Sequence, residues 1–300
     1  MQDPIAFNMR FYFTFIWLLL ISAPTIGQFN HTIYNTVLWE IKDTVNDKTS
    51  YLLGTSHAFG SKFFHSMSTA YKKLKQSELI LLQSTGDDAK MWNVAKKRTV
   101  NPEWKKILTK SELQFIESKL EGKEFQKLHF HELDLCLSLE YFRDICEGCG
   151  PRDDVRCMDD YIEELGGMLN IPTKGFEKGE NRFKQLGEEY IPRNMLENQV
   201  KRFKSLIKAL KQNSDLLEDE CELVFEYKDM ELPYAFQEPC PSRYPLIIER
   251  NNQWAEMLPQ YLSSQNCFIA IGWYHLRHEC GLIMQLKEKG YVVTPMHLWS

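Results

Sequence analysis

Cys267-Phe268-Ile269-Ala270-Ile271-Gly272-Trp273-Tyr274-His275-Leu276 is the stretch on which the reading of this chain turns. Five apolar residues in a row, without polar alternation, describe a strand buried on both faces, as in a parallel sheet covered by helices. Gly272 lets the chain turn sharply at the strand end, and a histidine follows after two residues. Tyr51-Leu52-Leu53-Gly54-Thr55-Ser56-His57 repeats the design. Each histidine therefore falls at the carboxyl end of its strand, the edge at which open parallel sheets bind ligands. Two imidazoles delivered this way can converge on one transition metal, usually with a carboxylate beside them. A glycine three residues before a histidine is a weak signal when met alone.

Outward from these two segments, Val37–Ile41 and Tyr51–Leu53 read as strands of a hairpin joined by the polar loop Asp43–Ser50. Leu79-Ile80-Leu81-Leu82 is a third continuous apolar run. A helix is predicted around Ser68–Gln76, and Asp88–Leu139 is mostly helical, with starts at Asn101-Pro102-Glu103 and Ser111-Glu112. The helical pattern breaks around Gly148–Pro151 and resumes over Asp159–Leu169, followed by a short strand over Pro172–Phe176. Glu180–Leu217 reads as a long charged helical region broken at Pro192, its charges a solvated face. Glu231–Pro245 reads as an irregular loop, Leu246–Leu262 and Gly281–Lys289 as helices, and Tyr291–Pro295 as the last strand. Strands alternating with helices imply an α/β fold with a mainly parallel sheet, and the helical middle, about 88–170, reads as an insertion.

The composition is that of a globular chain: 300 residues, 43% hydrophobic and 26% charged. With 36 basic against 41 acidic residues, no basic surplus points to nucleic acid. Arg10, the apolar run Phe11–Ile21 and the small residues Ser22, Ala23 and Gly27 read as a cleavable signal peptide over residues 1–27. The run is shorter than a spanning helix needs. A buried segment of the fold and an uncleaved anchor are the other readings. The remaining residues, 28–300, read as a single exported domain without a stable membrane span, whether periplasmic, envelope-associated or secreted. Eight cysteines in that part (136, 146, 149, 157, 221, 240, 267 and 280) favour disulfides of unstated pairing. Cys146 and Cys149 also resemble half of a zinc ribbon, though no second half follows.

The two histidine motifs and their flanks resemble the TraB/PrgY/GumN family, which includes the Tiki metalloproteases. The resemblance runs through Leu38–Ile41, Met158-Asp159-Asp160-Tyr161-Ile162, Gly175-Phe176-Glu177, Glu249-Arg250-Asn251 with Trp254, Ala270–Leu276 and Gly290–Pro295. It implies a three-layer α/β core with a large helical insertion, similar to the erythromycin-esterase/ChaN group. It also implies a metal-dependent peptidase site, with manganese, cobalt or zinc as the divalent ion. His57 and His275 would be metal ligands or acid/base groups. Arg250 would stabilise developing negative charge, and Asn251 would orient its neighbours.

One position departs from the family pattern. Where the family usually carries a glutamate, the strand Leu79–Leu82 ends in Gln83. An amide offers a neutral carbonyl in place of a charge and takes up no proton at working pH. Glu177 at the end of its own strand, or Asp87 and Asp88 just past Gln83, are the candidate carboxylates. Two functions therefore stand side by side. One is an exported hydrolase acting on a peptide or small-molecule substrate, and the other is a degenerate relative that binds or sequesters such a ligand. His129 and His131 read as surface residues, and His278 lies one helical turn beyond His275.

Overall fold

A computed structural model describes residues 33–86, 91–121, 123–146, 157–177, 193–241 and 245–299. The expected signal peptide, the break at Gly148–Pro151, Asp87, Asp88 and the break at Pro192 lie outside the described residues. No helix among the described residues is long and apolar enough to cross a membrane.

The elements in chain order are β1 (Ile33–Tyr34), β2 (Leu38–Asp43), β3 (Lys48–Thr55), α1 (Ser61–Ser66), α2 (Ser68–Lys75) and β4 (Leu79–Ser84). Then come α3 (Met91–Lys96), α4 (Trp104–Ile107), α5 (Lys110–Lys119), α6 (Phe130–Asp144), α7 (Met158–Met168) and β5 (Thr173–Glu177). The remainder is α8 (Arg193–Gln212), α9 (Glu218–Asp229), β6 (Leu232–Pro233), α10 (Pro245–Leu262), β7 (Cys267–Gly272), α11 (Leu282–Glu288) and β8 (Val292–Pro295).

Six strands form one sheet in the order β5-β4-β7-β3-β2-β8. The first four run parallel, and β2 and β8 join antiparallel. The result is a mostly parallel α/β sheet that fits a three-layer fold. The apolar runs of β4 and β7 occupy its centre and are buried throughout, because a central parallel strand meets helices on both faces. The edges carry polar or exposed residues: Lys174 on β5, and Val292, Thr294 and Pro295 on β8. A proline is tolerated there because an edge strand leaves one row of amides unpaired.

The hairpin has the predicted strands with a tighter turn. Asp43 Oδ1 accepts from the amides of Val45 and Asn46, and its Oδ2 accepts from the Asn46 side chain. The side-chain bond from Asn46 leads the contacts that hold the Asp43 carboxyl below its ordinary value, while burial works against them.

The helical layer draws on two separate stretches of chain. Helices α5 and α6 pack against α8, and α9 packs against α6, so residues from both sides of β5 build it. Trp104, Phe130 and Phe203 meet at its centre. Arg98 forks onto the buried Glu132 at 2.5 and 3.0 Å, and a disulfide joins Cys146 to Cys221. That bridge is worth about 2–4 kcal/mol. It also corrects the zinc-ribbon resemblance, since Cys146 is spent on Cys221. Helix α7, by contrast, packs on β4, β5 and β7 and belongs to the cover of the sheet.

Two local details differ from expectation. The start predicted at Ser111 lies two residues earlier. Thr109 is the cap, its hydroxyl accepting from the Glu112 amide while Glu112 reaches back to the Thr109 amide. His129 and His131, expected at the surface, are half-buried, and His129 stands at the N-cap of α6 with its amide donating to Glu132.

Candidate functional site

The register of the parallel strands lines up their carboxyl ends. Thr55 pairs with Gly272, and Ser84 with Glu177. His57, Gln83, Glu177 and His275 thus lie at or just past the ends of four strands along one edge. Gly54 brings the two motifs together. A side chain on it would place its Cβ 2.8 Å from Trp273 Cβ and 2.9 Å from Leu276 Cδ1. Gly54 therefore serves close approach, where the sequence suggested a turn: the first motif makes room for the second. Gly175 does the same for β5, where a Cβ would come 2.9 Å from the backbone of Ser84 and Thr85.

Around His275 the polar groups are locked. Residues one turn apart on a helix share a face, so α10 presents Arg250 and Trp254 together, with Asn251 beside them. Arg250 Nε and Nη2 donate to the two oxygens of Glu177 at 2.7 and 3.1 Å. Nη1 lies 3.3 Å from His275 Nε2. Asn251 Nδ2 donates to the carbonyls of His275 and Cys280 at 3.1 and 2.9 Å, which turns its Oδ1 toward His275 Nδ1 at 2.7 Å. These contacts settle the tautomer. Nδ1 carries the proton and donates to Asn251, and the Nε2 lone pair receives the guanidinium. Trp254 packs on the imidazole, ring centroids 4.6 Å apart, and on Arg250 at 4.6 Å. His275 is only 5% exposed.

Glu177, a candidate to supply the carboxylate missing at Gln83, is thus clamped by Arg250. Gln83 is 7% exposed, and a Cβ on Gly272 would stand 3.4 Å from its Nε2 and 3.8 Å from the His275 ring. His278 turns away from His275: its amide donates to the Tyr234 carbonyl, and its ring lies 4.0 Å from Glu238.

His57 has different company. Its Nδ1 is 3.5 Å from Asp159 Oδ2, and its side chain is 35% exposed. Thr55, two residues earlier, donates to Asp159 Oδ1 at 2.8 Å. Asp159 Oδ2 is buried and has no hydrogen-bond partner. Cys157 caps α7 just before Asp159, and the ligand atoms of His57, Cys157 and Asp159 all lie within 4.8 Å of one another. Burial, followed by the charges of Asp159 and Asp160, holds the Cys157 thiol well above its ordinary value. His275 is not in this group.

The sequence reading missed Asp159 and Cys157 as site residues. Asp159 lies within Met158–Ile162, one of the stretches that carry the family resemblance, and Cys157 is one of eight cysteines whose even number favours disulfides. The second disulfide, Cys240–Cys280, anchors the segment just after His275.

A mostly parallel sheet with two histidine-centred clusters at its carboxyl edge defines an α/β protein with an edge-of-sheet site. The family model of the TraB/PrgY/gumN family matches residues 37–295. The chain belongs to that family. Among curated proteins no match is found.

Proposed function

We propose that the chain is an exported, metal-dependent hydrolase acting on a peptide or amide bond, with its two histidines in different roles. The observation that carries this reading is the pairing along one sheet edge of a cation-ready cluster with a guanidinium-bearing cluster. On the His57 side, the buried oxygen of Asp159 accepts no hydrogen bond and has only the His57 nitrogen at 3.5 Å, and such a group is costly unless something satisfies it. A separation of 3.5 Å between His57 Nδ1 and Asp159 Oδ2 matches two ligands of one ion, since bonds of about 2.0–2.2 Å in tetrahedral geometry put ligands roughly 3.4 Å apart. A divalent ion held there supplies a Lewis acid and a more acidic water.

The chain's own residues do the rest. Arg250 has five N–H groups, and the three contacts to Glu177 and His275 leave two to receive the oxyanion of an attacked carbonyl. Glu177 keeps the guanidinium in place. His275 is held by Asn251 with its lone pair on Nε2, and once Arg250 Nη1 turns from that nitrogen to the substrate, Nε2 takes and returns a proton. Gln83 can hold substrate only by hydrogen bonds. The two disulfides support export into an oxidising compartment.

The test is a peptide and amide hydrolysis screen of the chain with manganese, cobalt or zinc, beside His57→Ala and His275→Ala. Turnover that falls about 10²–10⁴-fold in His275→Ala supports the reading. Activity and metal binding untouched by either substitution would overturn it. Gln83 favours a second reading, a family member that binds its ligand without cutting it. Under that reading Gln83→Glu raises metal affinity and brings hydrolysis to a chain that otherwise shows none.

A further inference from the structure

We propose that Cys157, as its thiolate, completes the metal shell with His57 and Asp159, and that this soft donor makes the site select zinc or cobalt over manganese or magnesium. The inference deepens the hydrolase reading and rests on its requirement for an ion.

Three observations carry it. The ligand atoms of the three residues lie within 4.8 Å of one another, and His275 stands outside the group. Asp159 is held as a ligating carboxylate should be: Thr55 fixes one oxygen by a hydrogen bond, and the other is buried and unsatisfied. A hydrogen-bonded outer oxygen with a bare inner one is the usual support of a metal-bound carboxylate. Finally, Cys157 is a free thiol in the structure, whereas Cys146, Cys221, Cys240 and Cys280 are joined in pairs.

The local chain explains why the three meet. Cys157 and Asp159 flank the first residue of α7, and His57 follows the end of β3 by two residues. Thr55 bonds Asp159 and so ties the two segments together. Zinc and cobalt accept mixed nitrogen, oxygen and sulfur donors, whereas manganese and magnesium favour oxygen. As the sulfur–metal bond forms, the thiol proton passes to solvent. The carboxylate missing at Gln83 is thus replaced at the other histidine, by Asp159 and a sulfur.

The experiment is cobalt(II) titration of the full chain with its disulfides intact, followed by absorption. The expected result is saturable binding with a thiolate-to-cobalt charge-transfer band in the near ultraviolet. Zinc should remove the band, and equal manganese should not. Cys157→Ser should lose the band and weaken cobalt binding by roughly tenfold or more. Asp159→Asn, which keeps the thiol, should bind more weakly yet retain the band, separating ligand loss from misfolding. Binding without the band, unchanged in Cys157→Ser, would overturn the proposal and leave the metal-dependent reading standing on the histidines. Absence of any cobalt binding would overturn both. A sulfur band in a chain that hydrolyses nothing would uphold the shell and overturn the hydrolase reading alone.

Discussion

The two histidine motifs are near copies in sequence and opposites in structure. His275 is buried, a tryptophan packs on its ring, and both its nitrogens are engaged, one by Asn251 and the other by the Arg250 guanidinium. His57 is about one-third exposed and faces an unsatisfied carboxylate oxygen and a thiol. The difference teaches that strand, glycine and histidine deliver an imidazole to the sheet edge without assigning its work. The neighbouring helix assigns it: α10 brings Arg250, Asn251 and Trp254 to one histidine, and the start of α7 brings Cys157 and Asp159 to the other.

If the His275 cluster is a locked network, breaking it should cost stability, whereas the His57 cluster should tolerate change. Arg250→Ala leaves Glu177 without its partner and should lower unfolding stability by about 3 kcal/mol, the size expected when one half of a largely buried pair is removed. Glu177→Gln in the same chain should recover part of that loss, as a double-mutant cycle in urea would show. Gly54→Ala should cost about 2 kcal/mol, because its methyl group enters the space of Trp273 and Leu276. Nitrogen NMR of the imidazoles should then show His275 disturbed. An unaltered His275 would break the claim that the first motif makes room for the second.

Asn251→Ala should cost about 1.5 kcal/mol and release the His275 tautomer, which the same spectra would report. His57→Ala should change stability by less than about 0.5 kcal/mol while abolishing cobalt binding. A large stability loss there would erase the contrast between the clusters.

Much of the fold was legible in the sequence. The unbroken apolar runs Leu79–Leu82 and Cys267–Ile271 can satisfy their surroundings only as central strands, and they became β4 and β7. The sequence does not mark helix α9. It carries exposed Leu223 and Phe225 among charges, so its apolar residues do not mark a single face. The thiol–carboxylate–imidazole cluster was not legible either, because Cys157 and Asp159 lie about a hundred residues from His57 and no local period links them.

By itself, then, the sequence determined the apolar strands, the delivery of both histidines to one carboxyl edge, and the residues Arg250 and Trp254 one helical turn apart. These follow from backbone period and from glycine placement, which act over a few residues. Only the tertiary structure decided that Glu177 is clamped by Arg250, that Asp159 and Cys157 join His57, and that Cys146 pairs with Cys221 and Cys240 with Cys280. Those choices depend on strand order and helix packing, where residues far apart in the chain compete for the same space.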